Sequence, residues 1–478
     1  MIRPAPDLST GQPSRRALLR SAACGFGYLA LADLASARAG TSVARSNPLA
    51  PRTPLVRPRA QRVIFIFMQG GPSHVDTFDP KPRLDRDHGK TVELFNARHR
   101  TRRPERLMAS PWKFTARGQC GAPVSELFPH IAQHVDDLCF IKSLHTEGVA
   151  HGPATLQLHT GATNLVRPAI GAWIAYGLGT ESRNLPAFVT INPTANMGGS
   201  RLYANAFLPA IYQGTAIGRA GLPTSQATIR HLTNDRLPHD RQRAQLEFLQ
   251  SMNQVQLPQG PRDELEAVIH SYELAFRMQQ QAPRVLDLSD EPAETLDLYG
   301  VGREPTDNFG RQCLMARRLA EAGVRFIQIN YSDNSPNPMW DQHSNLPQHA
   351  QHARATDQPV AGLLADLKRR GLLEETLVWW GAEFGRTPFA ENGGTGRDHN
   401  PGGFTVFLAG GGVRGGMSYG ATDEFGYNAV ENPVHMYDLH ATILHLLGLD
   451  HEKLTYRYAG RDFRLTDVHG EVVRQILS

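Results

Sequence analysis

Cysteine is scarce in this 478-residue chain: there are four, and one of them, Cys24, lies in the N-terminal segment. Cys120, Cys139 and Cys313 remain, an odd number that admits at most one internal disulfide and excludes a four-thiolate metal site. Long apolar runs are also missing. The stretch from Ala22 to Leu34 is too short and too weakly apolar for a lasting membrane span. An excess of one charge is absent as well: the chain is formally +4, and residues 1–39 hold five arginines against Asp7 and Asp33, so the rest carries +1 (4 minus 3). Such a balance calls for no nucleic-acid partner. No internal repeat organises the sequence. What is present, 40% hydrophobic and 20% charged residues, is the composition of a globular protein with a large core.

The N-terminus has its own character. Ser14-Arg15-Arg16-Ala17-Leu18-Leu19-Arg20, the modest apolar segment and then Ala37-Arg38-Ala39 read as a twin-arginine export signal over residues 1–39. A periplasmic or secreted protein follows, with the twin-arginine translocase as its partner during export. Residues 40–60, rich in Pro, Arg, Ser and Thr, read as a linker. Residues 61–478 form one α/β domain, with an insertion at about 193–305 that carries two polar helical patterns, Asp240 to Gln254 and Arg262 to Gln280, and no evident strands.

Within that domain, short β-branched and aromatic runs at Arg62–Met68, Leu138–Ile141, Ala187–Ile191, Val324–Ile329, Leu377–Trp380 and Phe404–Ala409 are expected to be buried strands. Helices are expected at Ser125–Asp136, from Gly152-Pro153 to Thr160, at Ile170–Leu178, Asp307–Ala322 and Ala355–Arg370, and from Asn432-Pro433 to Leu447. Alternating helix and strand predicts a mostly parallel central sheet covered by helices on both faces.

Ligands bind such sheets beyond the carboxyl ends of the strands. Glu383, Arg386, Asp398 and His399 lie there, between Leu377–Trp380 and Phe404–Ala409, in the most reactive stretch of the chain. Two other strand-end loops carry an acid and a histidine within two residues: His74 with Asp76, and Asp341 with His343. One such pair is ordinarily a turn capped by its own side chains. Three pairs predict a metal site of His74, Asp76, Asp341, His343, Asp398 and His399, and mixed imidazole and carboxylate ligands suit zinc, manganese or iron better than magnesium or calcium. His151, at a helix N-terminus that favours an anion, is a candidate base, nucleophile or ligand; Arg386 is a candidate bidentate anion clamp, and Glu383 a candidate catalytic acid. Thr155 and Thr146 are reserve nucleophiles. The cluster Arg98, Arg100, Arg102, Arg103 and Arg106 reads as a solvated loop or as a device steering anions.

Taken together, the segments Gln69–Asp79, Trp340–Ser344, Glu383–Pro388 and Gly396–Asn400 resemble a family of exported bacterial proteins with twin-arginine signals. This is a domain family of unknown function, often labelled sulfatase-like, within the alkaline phosphatase superfamily. The resemblance implies an alkaline-phosphatase-like α/β core, with Asp341 and His343 as an acid-and-histidine ligand pair and His399 as a late ligand. Gln69 stands where such proteins have an acid, His151 where they have a nucleophile, and Glu383-Phe384 where they have Asp-His. His151-Gly152-Pro153-Ala154 also replaces the Cys-x-Pro-x-Arg signature, so no formylglycine is expected. The implied protein is an exported hydrolase of small or polymeric phosphate or sulfate esters that depends on a divalent metal, zinc or manganese. The alternative is an exported binding or envelope-associated protein that keeps the fold without catalysis.

Overall fold

The computed structural model describes residues 47–234, 236–255, 263–391 and 394–478. The expected export signal over residues 1–39, the part of the expected linker before residue 47, and Arg262 of the second expected helical pattern lie outside them. Strand β1, Arg62–Met68, is buried at every residue, as an apolar run covered on both faces must be. In chain order there follow the hairpins β2 (Thr91–Asn96) with β3 (Thr101–Arg106) and β4 (Phe114–Arg117) with β5 (Ala122–Ser125), then β6 (Leu138–His145), β7 (Phe188–Ile191), β8 (Thr215–Ile217), β9 (Phe326–Tyr331) and β10 (Thr376–Gly381). A further hairpin, β11 (Gly385–Ala390) with β12 (Arg397–Asn400), precedes β13 (Phe404–Ala409), β14 (Met417–Tyr419) and β15 (Val434–His435).

The central sheet runs β14-β6-β13-β10-β1-β9-β7-β8, and β15 pairs with β6. Every strand is parallel to β1 except β13, which is antiparallel to both β10 and β6. Among the described residues the chain between β10 and β13 contains no covering helix, and it doubles back. That reversal keeps residues 382–391 and 394–403 at one edge of the sheet, beyond the carboxyl end of β10.

Alternate residues of β1 enter two cores, as the period of a strand requires. Ile64, Ile66 and Met68 pack with Phe309 and Leu314 of α5 (Asp307–Glu321) and Val360 and Leu364 of α6 (Gln348–Arg369). Val63, Phe65 and Phe67 pack with Leu158 of α1 (His151–Thr160), Trp173 of α2 (Ile170–Leu178) and Leu439 and Ile443 of α7 (Met436–Leu446). The sheet therefore has helices on both faces. The segment 193–305 holds α3 (His239–Val255) and α4 (Asp263–Leu286), but also β8, which extends the sheet beside β7.

Several expected boundaries move. Ser125 ends β5, and only Ile131–Asp137 of the next expected helix is helical, as a 3-10 turn. Helix α6 starts at Gln348, ahead of Ala355. Helix α7 starts at Met436 because His435 caps it: its ring accepts from the Tyr437 amide, and the Asp438 carboxylate accepts from the His435 amide. Residues 48–60 are irregular yet fastened, with the amides of Arg59 and Ala60 donating to the Leu446 carbonyl. Cys120, Cys139 and Cys313 are all free thiols. Among the described residues no helix is long and apolar enough to cross a membrane.

Candidate metal centre

Two glycines let distant loops meet at the carboxyl edge of the sheet. Gly70, after β1, has φ +107°, and a Cβ there would lie 2.6 Å from the Asp341 amide nitrogen. Gly396 lies against His343 so closely that a Cβ would sit 2.2 Å from its carbonyl carbon. Only glycine permits such approach. The loop after β9 is thereby pressed between the β1 loop and the β11–β12 hairpin.

The result is a cluster of His151, Asp341, His343 and His399, whose candidate ligand atoms all lie within 4.8 Å of one another. Asp341 Oδ1 is 2.8 Å from His343 Nε2, 3.1 Å from His151 Nε2 and 3.3 Å from His399 Nε2. His343 Nε2 and His399 Nε2 are 3.0 Å apart. The other nitrogen of each ring decides what this means. His399 Nδ1 donates to the Val149 carbonyl at 2.8 Å, His151 Nδ1 to Glu383 Oε1 at 2.6 Å, and His343 Nδ1 to Glu391 Oε2. A carbonyl or carboxylate can only accept, so each Nδ1 carries a proton, and a ring that is neutral turns its Nε2 lone pair toward Asp341. Lone pairs and a carboxylate oxygen converging at 2.8 to 3.3 Å repel unless a proton or a metal cation lies among them. Four ligands bonded tetrahedrally to zinc at about 2.0–2.1 Å would be spaced by about 3.3 Å. The residues fit a metal ion.

Without a metal ion, a proton takes that place. Burial disfavours charge on Asp341, but hydrogen bonds from His151, His343 and His399 and the charge of Arg386 hold its pKa far below the usual carboxylate range. Burial also opposes charge on His151, yet the Asp341 and Glu383 carboxylates outweigh it and raise its pKa. Burial, helped by Arg386 and His151 against the pull of Asp341, lowers His399 to about 4. The pocket attracts a cation to one ring while another stays neutral.

The other sequence candidates lie around this cluster in different ways. Glu383 backs His151 and also accepts from the Gly70 amide at 2.9 Å. Arg386 is fully buried: its guanidinium donates to the carbonyls of Gly70, Gly71 and Arg397 and to Asp341 Oδ1 at 2.6 Å. Four of its five N–H groups are thus spent inside the protein, so it holds loops together behind the ligands. Asp398 points to the flank, 3.1 Å from Arg98 Nη1 and 3.9 Å from His343 Nδ1. Asp76 is not brought to the cluster; its carboxylate is held by Arg397 at 2.7 and 3.1 Å and by Ser73 Oγ. His74 is not brought there either, since its Nε2 donates to the Gly426 carbonyl at 2.7 Å and burial lowers its pKa. Thr146 Oγ1 donates to Gln157, and Thr155 Oγ1 is buried without a partner; neither hydrogen-bonds to the cluster. Gln69 is buried with its side-chain amide unpartnered, so that position supplies no charge.

Sequence reasoning missed Glu391, which fixes the His343 ring, and the Val149 carbonyl, which fixes His399. Neither carries a motif, and only folding brings Glu391 to a histidine 48 residues away. Outer partners of metal-bound histidines are typically worth about 10- to 100-fold in metal affinity. Glu391→Gln is therefore expected to weaken zinc binding by about that factor, measured by competition with a chromophoric chelator, without unfolding the protein.

Residues 60–477 match the family described as "Protein of unknown function (DUF1501)". No curated protein sequence matches the chain. Solved structures with which it shares likeness include a protein in the alkaline phosphatase superfamily from Vibrio parahaemolyticus, 9% identical with a TM-score of 0.35 over 88% of this chain and 74% of that one. A phosphonate monoester hydrolase from Silicibacter pomeroyi is 12% identical, with a TM-score of 0.33 over 87% of this chain and 76% of the other. The alkaline phosphatase of the Antarctic bacterium TAB5 is 11% identical, with a TM-score of 0.31 over 83% and 99%. Likeness at this distance transfers no chemistry.

Proposed function

Starting from the fact that this chain belongs to the family of proteins of unknown function DUF1501, we propose that it is an exported, zinc-dependent hydrolase of phosphate or sulfate esters. One observation carries the metal: the three imidazoles that donate their Nδ1–H groups to fixed acceptors and aim their Nε2 atoms at Asp341. Three nitrogens and one oxygen in a compact set favour zinc over manganese, which prefers an octahedral oxygen shell.

His151, His343, His399 and Asp341 would hold the ion. When bound, it supplies Lewis acidity to an ester oxygen and to water. The chain's own residues do the rest. Glu383, Glu391 and the Val149 carbonyl lock the ring orientations, and Arg386 fixes the Asp341 carboxylate from behind. The side chains of His343 and His399 are 25% and 11% exposed, against 3% for Asp341, so the cluster opens to solvent on the side of those two rings. An ester arriving from that side meets the exposed arginines of the β2–β3 hairpin. No serine, threonine or cysteine among the described residues hydrogen-bonds to the cluster, which favours water as the attacking group.

The same four ligands support a second reading. A closed set of four protein ligands is the pattern of structural zinc sites, which suits a binding or envelope-associated protein. Purified protein separates the two. The enzyme is expected to carry one zinc per chain and to turn over aryl phosphates or aryl sulfates, with activity lost to a chelator and restored by zinc. Zinc without turnover on either class would favour the binding protein, and a metal-free chain would end both zinc readings. Export rests on Ser14–Arg20; cell fractionation that finds the chain only in the cytoplasm would exclude it.

A further inference from the structure

The anion of the substrate needs guanidinium N–H donors that the structure has not already spent. Arg386 cannot serve, because it is fully buried and four of its N–H groups are bonded within the protein. Arg98 is the contrasting case. It sits between β2 and β3, its side chain is 48% exposed, and it reaches the flank of the cluster through a single nitrogen. Nη1 donates to Glu391 Oε1 at 2.9 Å and to Asp398 Oδ1 at 3.1 Å. Glu391 is the carboxylate that holds His343, and Asp398 precedes His399. Among the described residues Nε and Nη2 of Arg98 have no partner, which leaves donors of the planar fork free.

Resting on the zinc reading above, we propose that Arg98 is the residue that recognises the tetrahedral anionic group of the substrate, a phosphate or sulfate monoester, at the mouth of the site. A guanidinium suits that group because its N–H donors match two oxygens at once. The two carboxylates keep the head of Arg98 beside His343 and leave its other edge to the ligand. Arg100, Arg102 and Arg106 are exposed on the same hairpin. The hairpin is joined to the body near its tip, where the Ala97 amide donates to Tyr427 Oη at 3.2 Å, so Arg98 is carried on an anchored element.

A purely positioning role for Arg98, exerted through Glu391 on His343, gives a different result, and inorganic phosphate distinguishes the two. Zinc-loaded full-length mature protein is titrated with phosphate by calorimetry, and zinc affinity is measured separately by chelator competition. For Arg98→Ala, phosphate affinity is expected to fall by roughly tenfold to a hundredfold, the loss of a charge-assisted pair. Zinc affinity should change by no more than about threefold, within the context dependence of an exposed pair. Arg98→Lys should fall between, keeping the charge and losing the fork. Unchanged phosphate affinity in Arg98→Ala would overturn the proposal, as would an equal loss of zinc and phosphate binding, or zinc-loaded wild type that binds no phosphate. Wild type that binds no zinc would instead refute the metal reading itself, an outcome separable from these.

Discussion

Asp341→Ala is expected to abolish stable zinc binding and to remove any rise in unfolding temperature that zinc gives the wild type. Asp341 Oδ1 is the atom on which the three Nε2 atoms converge, and it is the nearest anion to Arg386, at 2.6 Å. Removing a direct ligand should cost more than the roughly 10- to 100-fold seen for outer partners. Breaking a buried pair by deleting one member also leaves an uncompensated charge, at a cost of about 3–5 kcal/mol. Ligand binding to the folded state alone adds about 2.7 kcal/mol at a hundred times the dissociation constant. The wild type should therefore melt higher with zinc, whereas Asp341→Ala should melt lower and respond little. Asp341→Asn retains an acceptor for Arg386 and separates the two effects: it should recover part of the stability without recovering the affinity. If Asp341→Ala binds zinc as tightly as wild type, the ligand assignment is wrong.

The second large effect concerns a residue that the sequence presents as a ligand. Asp76 and Arg397 are both fully buried, and the guanidinium grips the carboxylate at 2.7 and 3.1 Å. Asp76→Ala should destabilise the fold by about 3–5 kcal/mol, read from urea unfolding, because Arg397 would keep its charge with no counter-ion. The folded fraction should still bind one zinc. Zinc loss with unchanged stability would place Asp76 in the metal shell instead. The pair also has a pH signature. Burial works to raise the Asp76 pKa, but the charge and hydrogen bonds of Arg397 and the Ser73 hydroxyl lower it below 3.8. A carboxylate depressed in the folded state contributes its full stability above its unfolded pKa and loses it as pH falls through the folded value. Wild type should therefore lose this contribution only in acid below about pH 4, and the variant should lack that part of the acid slope.

How much could be read without coordinates differs by feature. The strands of the sheet were legible where burial on two faces writes a continuous apolar run, as in Arg62–Met68 and Leu377–Trp380. Direction was not. Phe404–Ala409 is as apolar as its neighbours, and nothing in its composition says that it runs antiparallel. Strand β8 has only three residues, too few to show a period. Asp341, His343 and His399 stood out because an acid and an imidazole recur at strand ends, and His151 because a helix starts with it. The same pattern also marked His74, Asp76 and Asp398, which the fold directs to Gly426, to Arg397 and to Arg98. Composition cannot say whether an arginine will be saturated like Arg386 or half-exposed like Arg98; that depends on which carbonyls fold over it. Glu391 and the Val149 carbonyl act through tertiary contact alone, so no local signal announces them.

The proposed chemistry turns on a cation seated among His151, His343, His399 and Asp341. Diffraction from zinc-loaded crystals, collected just above and just below the zinc absorption edge, measures that directly. One anomalous peak is predicted, bonded to the three Nε2 atoms and to the Asp341 carboxylate at about 2.0–2.2 Å. A zinc peak bound elsewhere, or none at this cluster with the protein saturated in zinc, would contradict it.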